Sequence, residues 1–253
     1  MSTLHDQVVF ITGASSGIGA AVARRFAAAG ARLVLAARRE DRLRALASEL
    51  AVPSHVVALD VRDRAGVERA VADLPAGFAA ISILVNNAGG ALGLEPAHQA
   101  NLDDWEVMVD TNVKGLMYVT RAVLAGMVER DRGHVVNLGS VAGSYPYPGG
   151  NAYGGVKAFV EQFSLNLRAD LAGKRVRVTN IEPGMVETEF SLVRFKGDEA
   201  KARAVYQGFQ PLRAEDVAEA VYWTATLPEH VNVNRIELMS VMQSFAGFSV
   251  KRS

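Results

Sequence analysis

The sequence predicts an α/β fold: a doubly wound parallel sheet of about seven strands with helices on both faces, formed as a single domain over residues 1–253. Three observations predict it. Short apolar, β-branched runs alternate with helix-period stretches along the whole chain. Hydrophobic residues make up 49% of the 253 positions, enough to fill one large core. The first apolar run passes directly into the glycine-rich stretch Thr12-Gly13-Ala14-Ser15-Ser16-Gly17-Ile18-Gly19 and then into a helical pattern.

The first strand is expected at Val8–Thr12 and the first helix near 17–29. Gly13, Gly17 and Gly19 let the turn between them bend tightly. The backbone amides of Ser15, Ser16, Gly17, Ile18 and Gly19 then face an anion such as a dinucleotide pyrophosphate. The spacing G-x-x-x-G-x-G departs from the commoner G-x-G-x-x-G, and a glycine turn without a ligand would read the same way. The second strand, Arg32–Ala37, ends on Arg38-Arg39, where NAD-binding folds often carry a carboxylate for the ribose 2′-hydroxyl. Two guanidiniums suit a 2′-phosphate, so NADP(H) is expected over NAD(H). The alternative is that both arginines only begin a solvated helix near 40–50, paired with Glu40 and Asp41. The third strand, His55–Asp60, runs into Val61, and Asp60 either receives an adenine amino group or caps the helix near 64–74. The fourth, Ser82–Asn86, runs into Asn87-Ala88-Gly89-Gly90, small residues that let a cofactor lie against the backbone or simply make a turn.

A long helical pattern covers 102–129. Asn112 competes with the helix ladder there and Gly115 weakens it, so either a bend that exposes a carbonyl or a tolerated polar contact is expected. The fifth strand, His134–Leu138, places Ser140 just past its end. After a Gly/Pro-rich loop that includes Tyr147, a helix over 153–171 carries Tyr153 and Lys157 on one face. A free phenol titrates at about 10. A neighbouring ammonium is expected to lower that value, letting Tyr153 exchange a proton with a substrate oxygen that Ser140 also holds. Taken alone, the pair also suits a structural contact. The sixth strand, Arg175–Ile181, leads to Pro183-Gly184 and then to a charged, partly helical segment over 186–211 whose length and place point to a substrate lid. Within it, Arg194 is an exposed or phosphate-facing charge, or, if the substrate is the small acid that the narrower resemblance described below implies, the clamp of its carboxylate. A helix near 214–226, begun by Arg213, and a strand at Arg235–Met239 complete the pattern.

Lys plus Arg equals Asp plus Glu at 27 each, so no global basic field draws in nucleic acid or an anionic membrane. The chain has no cysteine, which excludes disulfides, thiolate metal sites and cysteine nucleophiles and suits a reducing compartment. Residues Met1 to Asp6 are polar, the apolar run after them is too short for a signal peptide, and the longest apolar stretch, about Ala76 to Val85, is shorter than the ~18 residues of a membrane span. A cytoplasmic protein is expected. His5, His55, His98, His134 and His230 lack metal-ligand spacing, so no metal is expected. Trp105 and Trp223 are expected to serve packing. The tail from Ser244 to Val250 either crosses a subunit interface or folds back on its own core.

Together, Thr12-Gly13-x-x-x-Gly17-x-Gly19, Asn86-Asn87-Ala88-Gly89, Asn112, Ser140, Tyr153-x-x-x-Lys157 and Pro183-Gly184 resemble the short-chain dehydrogenase/reductase superfamily, in order and over essentially the whole chain. The resemblance implies a Rossmann-type sheet and hydride transfer at a nicotinamide. It implies Tyr153 as general acid/base, Ser140 as the group that orients the substrate oxygen, and Lys157 as tuning Tyr153 and binding the nicotinamide ribose. It further implies Asn112 as holding a water in a proton relay to Lys157, and Thr188 as a carboxamide contact beyond Pro183, Gly184 and Val186. The stretches Pro146–Asn151, Phe163–Leu171, Asn180–Gly184, Thr188–Asp198, His230–Asn234 and Gln243–Gly247 are similar to the NADP-dependent 3-hydroxy acid dehydrogenases, the serine or L-allo-threonine dehydrogenase group. That narrower resemblance implies oxidation of the 3-hydroxyl of a small acid, the reverse reduction of a 3-oxo acid, and a homotetramer. Gly154-Gly155-Val156 replaces a more usual Gly-Ala-Thr, and Met239-Ser240-Val241-Met242 lacks a proline and a threonine expected of that group.

Overall fold

The structure, a computed structural model, describes residues 4, 5 and 7 to 245. Its main sheet contains β1 (Val8–Thr12), β2 (Arg32–Ala37), β3 (Ser54–Ala58), β4 (Ile81–Asn86), β5 (Gly133–Leu138), β6 (Val176–Pro183) and β9 (Arg235–Leu238). A separate pair is formed by β7 (Val186–Glu187) and β8 (Leu212–Arg213). The main sheet has the order β3-β2-β1-β4-β5-β6-β9, and every pairing in it is parallel. Strand order reverses between β1 and β4, and a crevice opens at that point beyond the strands' carboxyl ends.

The helices are α1 (Gly17–Ala28), α2 (Glu40–Glu49), α3 (Arg64–Ala72), α4 (Leu102–Val109), α5 (Leu116–Glu129), α6 (Asn151–Asp170), α7 (Phe190–Arg194), α8 (Glu199–Ala204) and α9 (Ala214–Thr226). Successive strand residues point to opposite faces, and two cores result. Val9, Ile11, Leu33, Leu35, Ile83 and Val85 pack under α1, α2 and α9, with Phe26 and Val221 among the helix residues. Val8, Phe10, Val34, Ile81 and Leu84 pack on the other face under α3 and α5, with Val67, Val119 and Met127. Burial on both faces explains why these strands read as unbroken apolar runs.

Four expectations change. The helix over 102–129 is not continuous: a π-helical turn, Asp110–Gly115, separates α4 from α5. The sixth strand starts at Val176 and runs on through Pro183, bringing Glu182 into the sheet. Asp60 does not cap α3, whose N-cap is Asp63. Trp223 is 52% exposed, because α9 packs through Val217, Val221 and Ala225 and turns Trp223 outward. Arg213 does begin α9, and its N–H donates to the Asp216 side chain at 2.7 Å. No helix among the described residues is long and apolar enough to cross a membrane. The tail beyond Phe245 lies outside the described residues.

Candidate active site

A cavity of about 870 Å³ opens at the carboxyl ends of β1, β4, β5 and β6. Of the catalytic, cofactor-binding and substrate residues expected from the sequence, all line it except Gly19 and Asn112, which stand behind its wall.

The β1–α1 turn forms one end. Its shape depends on contacts from β4. Thr12 Oγ1 accepts the N–H groups of Asn87 and Ala88 at 3.0 and 2.9 Å, and Asn87 Nδ2 donates to the carbonyls of Thr12 and Gly13 at 3.0 and 3.2 Å. Asn87 thus secures the turn. Gly19 closes the arrangement from α1, because a Cβ there would overlap the Gly13 carbonyl oxygen and lie 2.6 Å from Asn87 Nδ2. The first amide taken by the helix ladder is that of Ala20, on the Ser16 carbonyl at 3.3 Å. The Gly17, Ile18 and Gly19 N–H groups are left as the donors of a helix N-terminus, with no acidic side chain in the first turn to oppose an anion.

Arg39 extends this anion-facing surface. Its NH2 donates to Ser16 Oγ at 2.7 Å and Ser15 Oγ at 3.2 Å. Glu40 pairs instead with Arg44, so Arg39 does not serve the helix pairing considered above. Arg38 lines the cavity beside Asp60, whose carboxyl is held below its usual range chiefly by hydrogen bonds from Arg62. A turn with free amides at one point and a cationic edge some way along fits the two anionic groups of a dinucleotide.

At the other end, Ser140, which caps a short 3-10 turn over Val141–Gly143, and the α6 residues Tyr153 and Lys157 come together. Ser140 Oγ accepts from Ala142 N at 3.1 Å, and Ser140 stands close enough to the Tyr153 phenol to pull its titration down. Lys157 Nζ lies 5.7 Å from the Tyr153 ring centroid and donates to the Leu138 carbonyl at 2.8 Å. Burial pushes the Tyr153 phenol up to about 12, against the opposing pull of Ser140 and the Arg194 charge. Burial also brings Lys157 down to about 8. The expected lowering of Tyr153 is therefore reversed: desolvation dominates, and the cation acting on the phenol is Arg194.

Asn112 explains the π-turn. Its Nδ2 donates to the carbonyls of Met108 at 2.9 Å and Gly90 at 3.0 Å, and its Oδ1 accepts from Gly90 N at 3.4 Å. The freed helix carbonyl is taken by the Asn112 side chain itself. Gly89 allows this approach, since a Cβ there would stand 2.5 Å from Asn112 Oδ1 and 3.8 Å from Lys157 Nζ.

Above Ser140, Tyr153 and Lys157, Arg194 Nε donates to the Gly93 carbonyl and Nη2 to Tyr147 Oη, both at 3.0 Å. Its guanidinium carbon is 5.7 Å from the Tyr153 ring centroid. Phe190 packs edge-on against Tyr153 at 5.7 Å. Thr188 faces the glycine turn, its side chain 3.4 Å from where a Gly17 Cβ would be. Behind Ser140, buried Glu182 accepts from Asn180 Nδ2 at 2.6 Å and pairs with Arg235 Nε at 2.5 Å. Arg235 also pairs with Glu161 and Glu237.

Sequence reasoning missed Glu189, Tyr145, Phe190, Tyr206 and Gln243, which also line the cavity. Gln243 Oε1 accepts from Met185 N at 2.8 Å and so fixes the Pro183-Gly184 turn from far along the chain. Glu189, Phe190 and Gln243 all lie in stretches that carried the narrower resemblance, which was the signal that could have found them. His134 is buried, with Nε2 2.8 Å from Thr179 Oγ1, a packing role.

Comparison with known proteins agrees with this geometry. The sequence profile of short chain dehydrogenases matches residues 7–198. The chain is 59% identical over 247 residues to the NADP-dependent 3-hydroxy acid dehydrogenase of Salmonella typhi, covering 97% of this chain and 100% of that one. It is 54% identical over 250 residues to sulfoacetaldehyde reductase 2 of Chromohalobacter salexigens, covering 98% and 99%. The closed form of a serine dehydrogenase complexed with NADP⁺ superposes with a TM-score of 0.96 at 57% identity, covering 98% of this chain and 100% of that one. The chain belongs to the short-chain dehydrogenase family.

Proposed function

We propose that this chain is an NADP(H)-dependent oxidoreductase that oxidises the 3-hydroxyl of small 3-hydroxy acids of the L-serine, L-allo-threonine or 3-hydroxyisobutyrate type, or reduces the matching 3-oxo acids. The observation that carries this reading is the Arg194 guanidinium lodged between Tyr147 and Tyr153, in the cavity that Ser140 also lines. A cation at that place suits a carboxylate a short carbon chain away from the oxygen that exchanges its proton.

When bound, NADP(H) supplies the hydride acceptor or donor. Ser15, Ser16, Gly17 and Ile18 would hold its pyrophosphate side, Arg38 and Arg39 the 2′-phosphate, and Asp60 and Val61 the adenine. Asn87, Ala88, Gly89, Pro183, Gly184, Val186 and Thr188 would line the remainder. Tyr153 Oη exchanges a proton with the substrate oxygen, and Ser140 Oγ holds that oxygen. Held near 12, the phenol is protonated at neutral pH and is armed as an acid toward a carbonyl. Lys157, poised near 8, passes the proton onward past Asn112. The segment over 186–211 acts as the lid of the single domain.

A second reading keeps the chemistry and changes the anion. The likeness to a sulfoacetaldehyde reductase favours it, and a sulfonate would meet the same Arg194. Initial rates with NADP⁺ and NAD⁺ over L-serine, L-allo-threonine and 3-hydroxyisobutyrate, and with NADPH over sulfoacetaldehyde, separate the two. Arg194→Ala is expected to raise KM for the preferred anionic substrate at least tenfold, and Tyr153→Phe to lower kcat by about 10²-fold or more. An unchanged KM in the first variant, or full turnover in the second, would refute the roles given. The reading includes a cytoplasmic homotetramer, supported by a cysteine-free chain and by exposed Leu102, Val107 and Leu165 on α4 and α6; light scattering tests the assembly.

A further inference from the structure

Glu189 stands at the N-terminus of α7, and its two carboxylate oxygens reach across the crevice to separate arginines. Oε2 accepts from Arg39 NH1 at 3.0 Å, and Oε1 accepts from Arg42 NH1 at 2.7 Å. Those guanidiniums hold the Glu189 carboxyl below its ordinary range, Arg42 foremost. Among the described residues these are the only ion pairs joining the 186–213 segment to β2 and α2.

Arg39 is engaged on two edges. Nε and NH2 face Ser15 and Ser16 on the glycine turn, and NH1 faces Glu189. The serine-facing edge is the one suited to a phosphate, so an anion there leaves NH1 on Glu189. Five residues of α7 then lead to the substrate end, where Phe190 meets Tyr153 and Arg194 meets Tyr147. The far side of the segment is anchored independently. Gly93 N donates to the Arg194 carbonyl at 3.0 Å, Lys196 pairs with Asp104 at 2.8 Å, and Tyr206 Oη donates to the Val186 carbonyl at 3.0 Å. Removing Glu189 thus frees the cofactor-side end of the segment and leaves the other ties in place.

We propose that Glu189 is a positioning and specificity residue that latches the segment carrying Phe190 and Arg194 to Arg39, which reads the 2′-phosphate, and to Arg42 beside it, so that order at the substrate site depends on a phosphate-bearing dinucleotide. This rests on the assignment of Arg39 to NADP(H). A 2′-phosphate fixes Arg39 against Ser15 and gives Glu189 a rigid partner. A dinucleotide without it leaves the guanidinium free to turn. Cofactor preference then appears in the KM for the acid as well as in cofactor affinity.

The test compares wild type, E189Q and E189A by hydrogen exchange over residues 188–206, with and without 2′,5′-ADP, a probe that carries the phosphate and lacks the nicotinamide. Titration calorimetry measures its binding. In the ligand-free proteins exchange should be about two- to fivefold faster in E189A than in wild type, the range set by exposed ion pairs, with E189Q between them. Added 2′,5′-ADP should slow exchange over 188–206 in wild type and not in E189A, and 5′-AMP should do so in neither. With NADP⁺, KM for the hydroxy acid should rise in E189A while kcat stays within about twofold. Equal protection of wild type and E189A by 2′,5′-ADP overturns the latch. Failure of 2′,5′-ADP to bind wild type overturns the NADP(H) assignment, and the latch with it.

Discussion

The fold holds the buried charge of Lys157 at a cost, and replacing it should make the protein more stable while silencing it. The residue is 8% exposed, its Nζ donates to the Leu138 carbonyl at 2.8 Å, and no carboxylate pairs with it among the described residues. Burial lowers its titration from 10.5 to about 8. At about 1.4 kcal/mol per unit, that gap corresponds to roughly 3 kcal/mol. The sign follows from proton counts. Below about 8 the lysine is charged in folded and unfolded chains alike, and the whole cost of burying the charge is present. Between 8 and 10.5 the unfolded chain binds more protons, so stability rises with pH; above 10.5 the cost is gone. Methionine has similar length and no charge. Lys157→Met removes the cost and leaves the Leu138 carbonyl without its donor, a loss of about 1 kcal/mol, for a net gain near pH 7 of about 2 kcal/mol. Urea unfolding followed by circular dichroism at pH 7, 8.5 and 10 reads this directly. The variant's midpoint should exceed that of wild type at pH 7, and the difference should shrink as pH rises. A variant less stable than wild type at pH 7, or a difference that does not narrow, refutes the reasoning.

Two further outcomes follow from the same geometry. Gly19→Ala drives a methyl into the Gly13 carbonyl and Asn87, so it should weaken NADP⁺ binding by tenfold or more and lower the melting temperature; unaltered affinity by calorimetry would count against the packing described. Glu182 is raised to about 7 by burial, with Arg235 opposing and Glu161 and Glu237 reinforcing the shift. Its favourable contribution is complete below about 4.5 and is lost as pH climbs through 7, so E182Q should flatten the stability profile between pH 5 and 8 and match or exceed wild type at pH 8. Thermal unfolding across that range with an unchanged slope would reject the shift.

The strands were legible because burial on both faces makes them long apolar runs, and their order follows from alternation with helices. The Tyr153–Lys157 pair was legible because one helical turn brings those positions together. Other features depend on what a local pattern does not hold. The upward shift of Tyr153 comes from its burial, with Phe190 packed against it from α7, while Ser140 and Arg194 pull the other way. Glu189 meets Arg39 across the crevice, a pairing of residues 150 positions apart that no local pattern announces. Asn112 and Gly115 signalled a disturbance in their helix, but hydrogen-bond register is not a property of composition. Trp223 was open to a better reading: Val217, Val221 and Ala225 define the packed stripe of α9, and position 223 lies off it.

The π-helical turn at Asp110–Gly115 also governs how this protein responds to changes in length. Such a turn holds one residue more than its α-helical counterpart, and each α-helical residue accounts for a rotation of about 100°. Deleting a single residue there would restore a regular helix and swing α4 by that angle relative to α5. Met108 would leave its place beside Tyr153 and Val156, and the Asn112 amide would turn from Gly90. Surface loops elsewhere can absorb a deletion by sagging; here the shortened chain would gain helical regularity and lose its site. A redesign that scores this chain by ideal helix geometry would therefore select the one shortening that the function cannot survive.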